Sequence, residues 1–416
     1  MSEPWNLDRP GRKLATTGTH RAATLEETWR RLGPALAACG VTRVCDVTGL
    51  DLIGIPVATA YRPNARSLSV SQGKGVSREA SRVSAAMEAV EHAHAEVIDR
   101  PLRLARPAEL GAAALDPRRL PRTADGVLDE VTPLLWIDGV DVRTGEPRAV
   151  PYEAVSLDFT LPPALTGHGL SRDSNGLAGG NSALEALVHA LCELIERDAA
   201  ALWDLRDGLT QAEARIDPST LTDPETARLL ERYDRAGVEA ALFDITSDLG
   251  VPAVLCHIVE AEPDPFRPLP AATGLGCHPH PAIAVQRALT EAAQSRLITV
   301  SGARDDITRE RYAETTDLDG IGELRDALRE SLPYARPFEA AGADHELLGD
   351  DLDWLLDRLA GAGLDQVIAV ELTRASLGVP VVKVLVPGLE GAGALTGEPT
   401  LPGPRALALG PETADA

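Results

Sequence analysis

Gly179-Gly180-Asn181-Ser182-Ala183-Leu184-Glu185-Ala186-Leu187-Val188-His189-Ala190-Leu191-Cys192-Glu193-Leu194-Ile195-Glu196-Arg197-Asp198 is the stretch on which the rest of the chain turns. The Ser-x-x-Glu pattern at Ser182 and Glu185 is a capping box and starts a helix. Glu185, His189, Glu193 and Glu196 then run along one line of that helix, whose other positions are mostly Ala, Leu, Val and Ile. A polar line on an apolar helix faces either water or a polar cavity. Residues three apart stack on one face, so Glu193 and Glu196 form an acidic pair. Adjacent carboxylates repel, and on an apolar helix such a pair calls for a cation between its members.

Outward from this stretch the same design recurs on both sides. Gly73-Lys74-Gly75 leads to Ala85, Glu88 and Glu91, and Gly274-Leu275-Gly276 leads to Ala288, Glu291 and Gln294. Counted from the last glycine to the first glutamate, the spacing is 13 residues in the first two copies and 15 in the third. One Glu-x-x-Glu alone reads as a solvated helix face. Three copies behind glycine turns argue against chance, although a duplication without chemistry stays open. Clustered acidic pairs suit Mg²⁺, a hard ion that takes oxygen ligands and commonly arrives with nucleotide phosphates. Gly73-Lys74-Gly75 could bring backbone N–H groups to a phosphate, or be a tight turn with a surface lysine. No Gly-x-x-x-x-Gly-Lys-Ser/Thr occurs, so a nucleotide site would be of a non-P-loop type. Arg197 and Arg296 stand beside acidic or amide pairs, where a guanidinium can balance carboxylates or grip phosphate.

Composition narrows the class. The chain has 416 residues, enough for a large core. A net charge of −23 disfavours sequence-independent nucleic-acid binding, which needs clustered Lys and Arg. Lysines occur only at 13, 74 and 383. No run of about 18 apolar residues supports a membrane span, and the start lacks the pattern of a secretory signal, so a cytoplasmic location is expected. Cys39, Cys45, Cys192, Cys256 and Cys277 are scattered without a Cys-x-x-Cys pair, which argues against a disulfide framework and a structural zinc site. Cys277, His278 and His280, with prolines between and beside them, read as a loop.

The expected organisation is a loose arm and helix over 1–40, a main domain over 41–390, and a flexible tail over 391–416. Helices are expected over 22–39, 78–98 and 281–300, with charged helical sequence over 305–362. Strands are expected at 41–47, 55–61, 134–142, 149–158, 240–245, 251–259, 366–372 and 379–386.

Taken together, Gly73-Lys74-Gly75 with Glu88 and Glu91, Gly176 to Asn181 with Glu185 and Glu193 to Asp198, and Glu291 to Arg296 with Gly302 to Asp306 resemble the YcaO family over about residues 40–390. The resemblance implies a mixed α/β fold in which long helices with repeated Glu-x-x-Glu motifs surround a non-P-loop ATP site. It implies that Glu88, Glu91, Glu193 and Glu196 hold Mg²⁺, and that Lys74, Asn181, Glu185, Arg197, Gln294 and Arg296 contact ATP. Glu193, Glu196 and Arg197 would carry catalysis. Family members use ATP to phosphorylate a peptide amide oxygen before a nucleophile attacks the carbon. A side chain of Cys, Ser or Thr in the substrate gives an azoline, and sulfide gives a thioamide. The end Gly-Pro-Glu-Thr-Ala-Asp-Ala departs from the proline-rich terminus of many azoline formers. Arg62-Pro63 and Val386 to Glu390 resemble members that form thioamides beside a TfuA-like partner, and thioamide formation is preferred here. The expected substrate is a precursor peptide or protein in ribosomal peptide modification; a homodimer stays open. A second reading is a non-catalytic, peptide-binding accessory protein that keeps the fold.

Overall fold

The computed structural model describes residues 11–14, 17–124, 126, 128–129, 131–161, 167–391 and 400–409. The ends of the expected arm and tail, 1–10 and 410–416, and the stretch 392–399 lie outside the described residues. Alternation and β-branching give a six-stranded antiparallel sheet. Its order is Leu102–Ala105, Leu134–Asp141, Ile368–Glu371, Val381–Leu385 and Leu177–Gly179, with Pro147–Pro151 on Leu134–Asp141. Two antiparallel three-stranded sheets flank it. One joins Arg43–Asp46, Val57–Tyr61 and Val70–Lys74, and the other joins Val238–Asp244, Ala253–Glu260 and Ala272–Cys277. The mixed α/β expectation holds.

Three long helices carry the acidic pairs: Arg78–Glu96, Ala183–Trp203 and Pro281–Ser301. Ser77 Oγ accepts from Ala80 N and Ser182 Oγ from Glu185 N, which sets the first two starts. The capping box is only half made. The Glu185 carboxylate accepts from Ala22 N at 2.7 Å and from Asn181 Nδ2 instead.

What the sequence presents as glycine turns are the ends of strands: Val70–Lys74, Leu177–Gly179 and Ala272–Cys277. Their glycines serve close packing. A Cβ on Gly73 would lie 2.0 Å from Ala85 N, and one on Gly276 would lie 2.0 Å from Ala284 O and 2.6 Å from Ala288 N. Only glycine lets a strand press onto helix backbone that closely, and alanines face it from the helix. This contact also resolves the unequal spacing. Gly73, Ala178 and Gly276 each precede the first glutamate of their helix by 15 residues, so the three copies share one register.

The copies interlock in a ring. The first acidic helix packs on its own strand and on Leu177–Gly179. The second packs on its own strand and on Ala272–Cys277, and the third on its own strand and on Val70–Lys74. Each helix is thereby wedged between two glycine strands, which aims the three acidic faces at one another.

Leu25–Ala38 packs on the first acidic helix, and Leu348–Gly361 on the second. The tail expectation needs correction where it is described. Thr400–Leu401 pairs with Arg122–Thr123, and Arg405, in the helix Pro404–Ala408, binds Asp198 at 2.9 Å. Glu390 accepts from the backbone N–H groups of Gly403, Arg405 and Ala406, so this segment is tied to the back of the second acidic helix. Residues 11–14 and 17–22 are likewise docked: Lys13 Nζ meets the fully buried Asp351 at 2.8 Å.

Candidate functional site

Glu88, Glu91, Glu193, Glu196 and Glu291 converge from three helices. Glu91 Oε1 accepts from Gly179 N at 2.6 Å, and Glu196 Oε2 accepts from Cys277 N at 2.8 Å. Both donors stand 14 residues before the next copy's first glutamate, so the second acid of one copy is anchored on the strand of the following copy. Where the ring closes, that strand position is Lys74, and its Nζ pairs with Glu291. Glu291 Oε1 also accepts from Leu275 N at 3.3 Å. Arg197 bridges two helices, 3.5 Å from Glu196 and 3.8 Å from Glu291.

The electrostatics show the same convergence. Burial pushes the carboxyl of Glu88 up to about 7 and that of Glu91 up to about 8; Glu91 also feels Glu88 and, across the helices, Glu193. Burial raises Glu193 to about 7 and raises Glu196, against the pull of Arg197. Glu291 goes the other way. Burial opposes its charge, but Lys74 and Arg197 outweigh it and hold the carboxyl down to about 2. Glu88, Glu91 and Glu193 are hemmed in by protein yet only half-buried, so each keeps some access to solvent. Four crowded carboxylates are therefore short of positive charge, a deficit that a divalent cation would fill. Among the described residues no three His, Cys, Asp or Glu side chains already form a metal-holding group. The set suits Mg²⁺, which binds through one or two carboxylates and takes its other ligands from phosphates and water.

The remaining expected contacts divide. Asn181 accepts from Thr28 Oγ1 at 2.9 Å and donates to Glu185, so these two form a polar group under the segment 19–28 at the start of the second acidic helix. Gln294 is half-buried one turn beyond Glu291. Arg296 is brought to a different place. Its side chain is fully enclosed and pairs with Asp51 at 3.1 Å and Glu260 at 3.5 Å, so it balances carboxylates in the core rather than reaching phosphate. That corrects its assignment to the ATP site. Two cations outside the motifs also approach the acids. Lys383, buried between Asp173 and the charge of Glu193, donates to Asp173 O at 2.7 Å. Arg287 lies one turn before Glu291. The scarcity of lysine was a signal for Lys383; the i, i+4 spacing to Glu291 was one for Arg287.

With this geometry in view, residues 72–390 match the profile of YcaO, described as an ATP- and Mg²⁺-binding cyclodehydratase, and the chain belongs to the YcaO family. A protein of Rhizobium leguminosarum bv. trifolii, described as uncharacterized and in the tfuA 3′ region, is 38% identical over 89% of this chain and 88% of its own length. An uncharacterized protein of Methanothermobacter thermautotrophicus is 36% identical over 89% of this chain and 95% of its own. The YcaO structure from Methanopyrus kandleri bound with AMPPCP and Mg²⁺ superposes with a TM-score of 0.72 at 26% identity, covering 92% of this chain and 96% of that one. A heterocyclase solved with substrate and cofactor shares the fold, with a TM-score of 0.74 at 24% identity; the match covers 94% of this chain but 55% of that protein. No helix of the described residues is long and apolar enough to cross a membrane.

Proposed function

We propose that this protein uses ATP and Mg²⁺ to activate a backbone amide of a ribosomally made precursor peptide and replaces the amide oxygen with sulfur, working beside a TfuA-like partner. The observation that carries the ATP-dependent part is the convergence of Glu88, Glu91, Glu193 and Glu196, with Lys74 and Arg197 between the helices. The relative in a tfuA region supports the choice of sulfide over an internal nucleophile. When bound, ATP and Mg²⁺ supply the phosphoryl group and the charge that turn a poor leaving oxygen into a good one.

The chain's own residues do the rest. Glu88, Glu91, Glu193 and Glu196 hold the cation. Asn181, Glu185 and Gln294 orient the nucleotide. Lys74 and Arg197, tied to Glu291 before binding, are charges that can transfer to phosphate. In balance, the amide oxygen leaves as phosphate, ATP becomes ADP, and sulfide supplies the new atom at carbon. An azoline-forming cyclodehydratase is the second reading, favoured by the family description.

Mass spectrometry of a precursor peptide incubated with protein, partner, ATP, Mg²⁺ and sulfide tests the proposal. Exchange of oxygen for sulfur is expected. Loss of one water would move the assignment to the azoline reading. An unmodified peptide without ADP formation would leave a peptide-binding accessory protein.

A further inference from the structure

Lys383 is a charge in an apolar layer. It sits in the strand Val381–Leu385, opposite Leu177 on one side and Val370 on the other. Those two residues, with Val381 and Leu385 on the same face of the strand, belong to the core beneath the first acidic helix. The Lys383 side chain is 4% exposed. An ammonium has three N–H donors. One goes to Asp173 O at 2.7 Å, and Asp173 Oδ1, at 3.7 Å, is beyond hydrogen-bond reach. The Asp173 carboxylate is taken up by its own turn, accepting from Ser171 Oγ at 2.7 Å and from Asn175 N at 3.0 Å. Among the described residues, the other two donors of this buried ammonium have no acceptor.

Its polar neighbours are unmet as well. Glu193 and His92 both feel the Lys383 charge. Glu193 has no hydrogen bond among the described residues, and the buried His92 Nδ1 has no partner. The register explains why Glu193 is free. Glu88 and Glu291 accept from the strand N–H groups of Gln72 and Leu275, each 16 residues earlier. The matching donor for Glu193 is Leu177 N, and Ser174 O takes it at 2.8 Å.

Unmet donors on a buried cation cost stability, since each loses its hydration. Such a cation has a use where an anion is to arrive, and the proposed reaction brings one. Hydrogen sulfide ionises near neutral pH, and the attacking species is the hydrosulfide anion. Four carboxylates and a triphosphate repel it, so it needs a cation that phosphate does not consume. Lys74 and Arg197, the charges assigned to phosphate, come from other elements and are tied to Glu291. A lysine ammonium is a compact point charge that suits a small anion, whereas the fork of arginine suits phosphate.

We infer that Lys383 holds the hydrosulfide nucleophile for its attack on the activated amide carbon. The inference rests on the thioamide reading above and adds the sulfur site to it. Hydrosulfide gives an electron pair to the carbon, the bond from carbon to the phosphorylated oxygen breaks, and the sulfur proton leaves with phosphate. Amide, ATP and hydrosulfide thus give thioamide, ADP and hydrogen phosphate, with atoms and charge in balance and no change of oxidation state at sulfur.

Initial rates of thioamide formation, read by mass spectrometry with whole protein, partner, peptide, ATP and Mg²⁺ while sulfide is varied, test the assignment. Lys383→Met, similar in length and apolar, should raise the KM for sulfide tenfold or more. The KM for ATP and the kcat at saturating sulfide should stay within threefold of wild type. Bromide, close in size to hydrosulfide, gives a second test on the wild-type protein at constant ionic strength, and it serves alone if the methionine variant does not fold. It should compete with sulfide and not with ATP. A sulfide KM within threefold of wild type, a raised KM for ATP in its place, or bromide that does not compete with sulfide would each overturn the inference alone. Azoline or unmodified peptide from the wild-type protein would overturn it together with the thioamide reading.

Discussion

At the residue scale, the site works by withholding compensation. Glu193 has no hydrogen bond among the described residues, and the cation that most favours its charge is Arg197. Glu196 is anchored on Cys277 N but remains pushed toward the neutral form by burial. Glu291, by contrast, is fully compensated, which explains why it holds cations in place whereas the other four call for one. Removing a carboxylate from the uncompensated set should leave the fold intact and disable its chemistry. Glu193→Ala and Glu196→Gln are expected to lower ATP turnover on the order of 10²-fold or more while thermal melting shifts little, as measured by ADP release and circular dichroism. Near-normal turnover in either variant would count against the site. Glu185 and the three Glu-x-x-Glu/Gln sets were legible in the sequence because one polar line on an apolar helix has few explanations, whereas Asn181 entered only through the family resemblance. Arg296 was not, since its neighbours Asp51 and Glu260 come from elements more than thirty residues away in the chain.

At the element scale, the unit is a strand pressed against a helix through glycine and alanine. The approach at Gly276 leaves no space for a methyl group, and the atoms in the way are backbone. Gly276→Ala should therefore cost about 3 kcal/mol or more in urea unfolding, at the upper end of overpacking. Gly361, in the last turn of Leu348–Gly361, has no positive φ, and a Cβ placed on it would meet nothing within 4 Å. Gly361→Ala should instead stabilise by about 0.5–1 kcal/mol. Equal effects at the two positions would refute the packing role of the glycine strands. Helix boundaries were readable to within a few residues from apolar spacing and, in the second acidic helix, from Ser182; Thr24 and Ser77 cap two further helices. The short glycine strands were not readable. Val70–Lys74 and Leu177–Gly179 have too few residues to alternate, and what makes them strands is pairing with partners elsewhere in the chain.

At the scale of the whole molecule, both ends of the described chain reinforce the second acidic helix. Residues 17–22 lie over its start, where His20 packs edge-on against His278 at 4.7 Å between ring centres and lies 6.1 Å from His280. Burial, with Lys13, His280 and Arg21 adding to it and Asp344 opposing, takes the His20 ring down to about 4; Asp351 stands 4.0 Å from its Nδ1. His278 is lowered as well, by burial first. A base whose folded pKa is depressed favours folding when neutral. Its contribution is complete above about 6.5, the unfolded value, and is lost as pH falls through about 4. Melting temperature should therefore decline between pH 6.5 and 4, and His20→Gln should make that decline shallower without abolishing it, since burial also lowers His92, His94, His189, His257 and His278. A pH profile identical to wild type would show that His20 does not hold the segment.

Sequence alone determined the chemical inventory: which helices form, that their acids recur in a common spacing, and that a cation-binding, non-P-loop site was the economical reading. Those properties are local, being set by residues three or four apart on one helix. Tertiary structure alone decided which acids are compensated, that the glycines serve packing, and that Arg296 belongs to the core. These depend on how separate strands and helices pack against one another, and no periodicity within one element encodes which neighbour's charge will meet it.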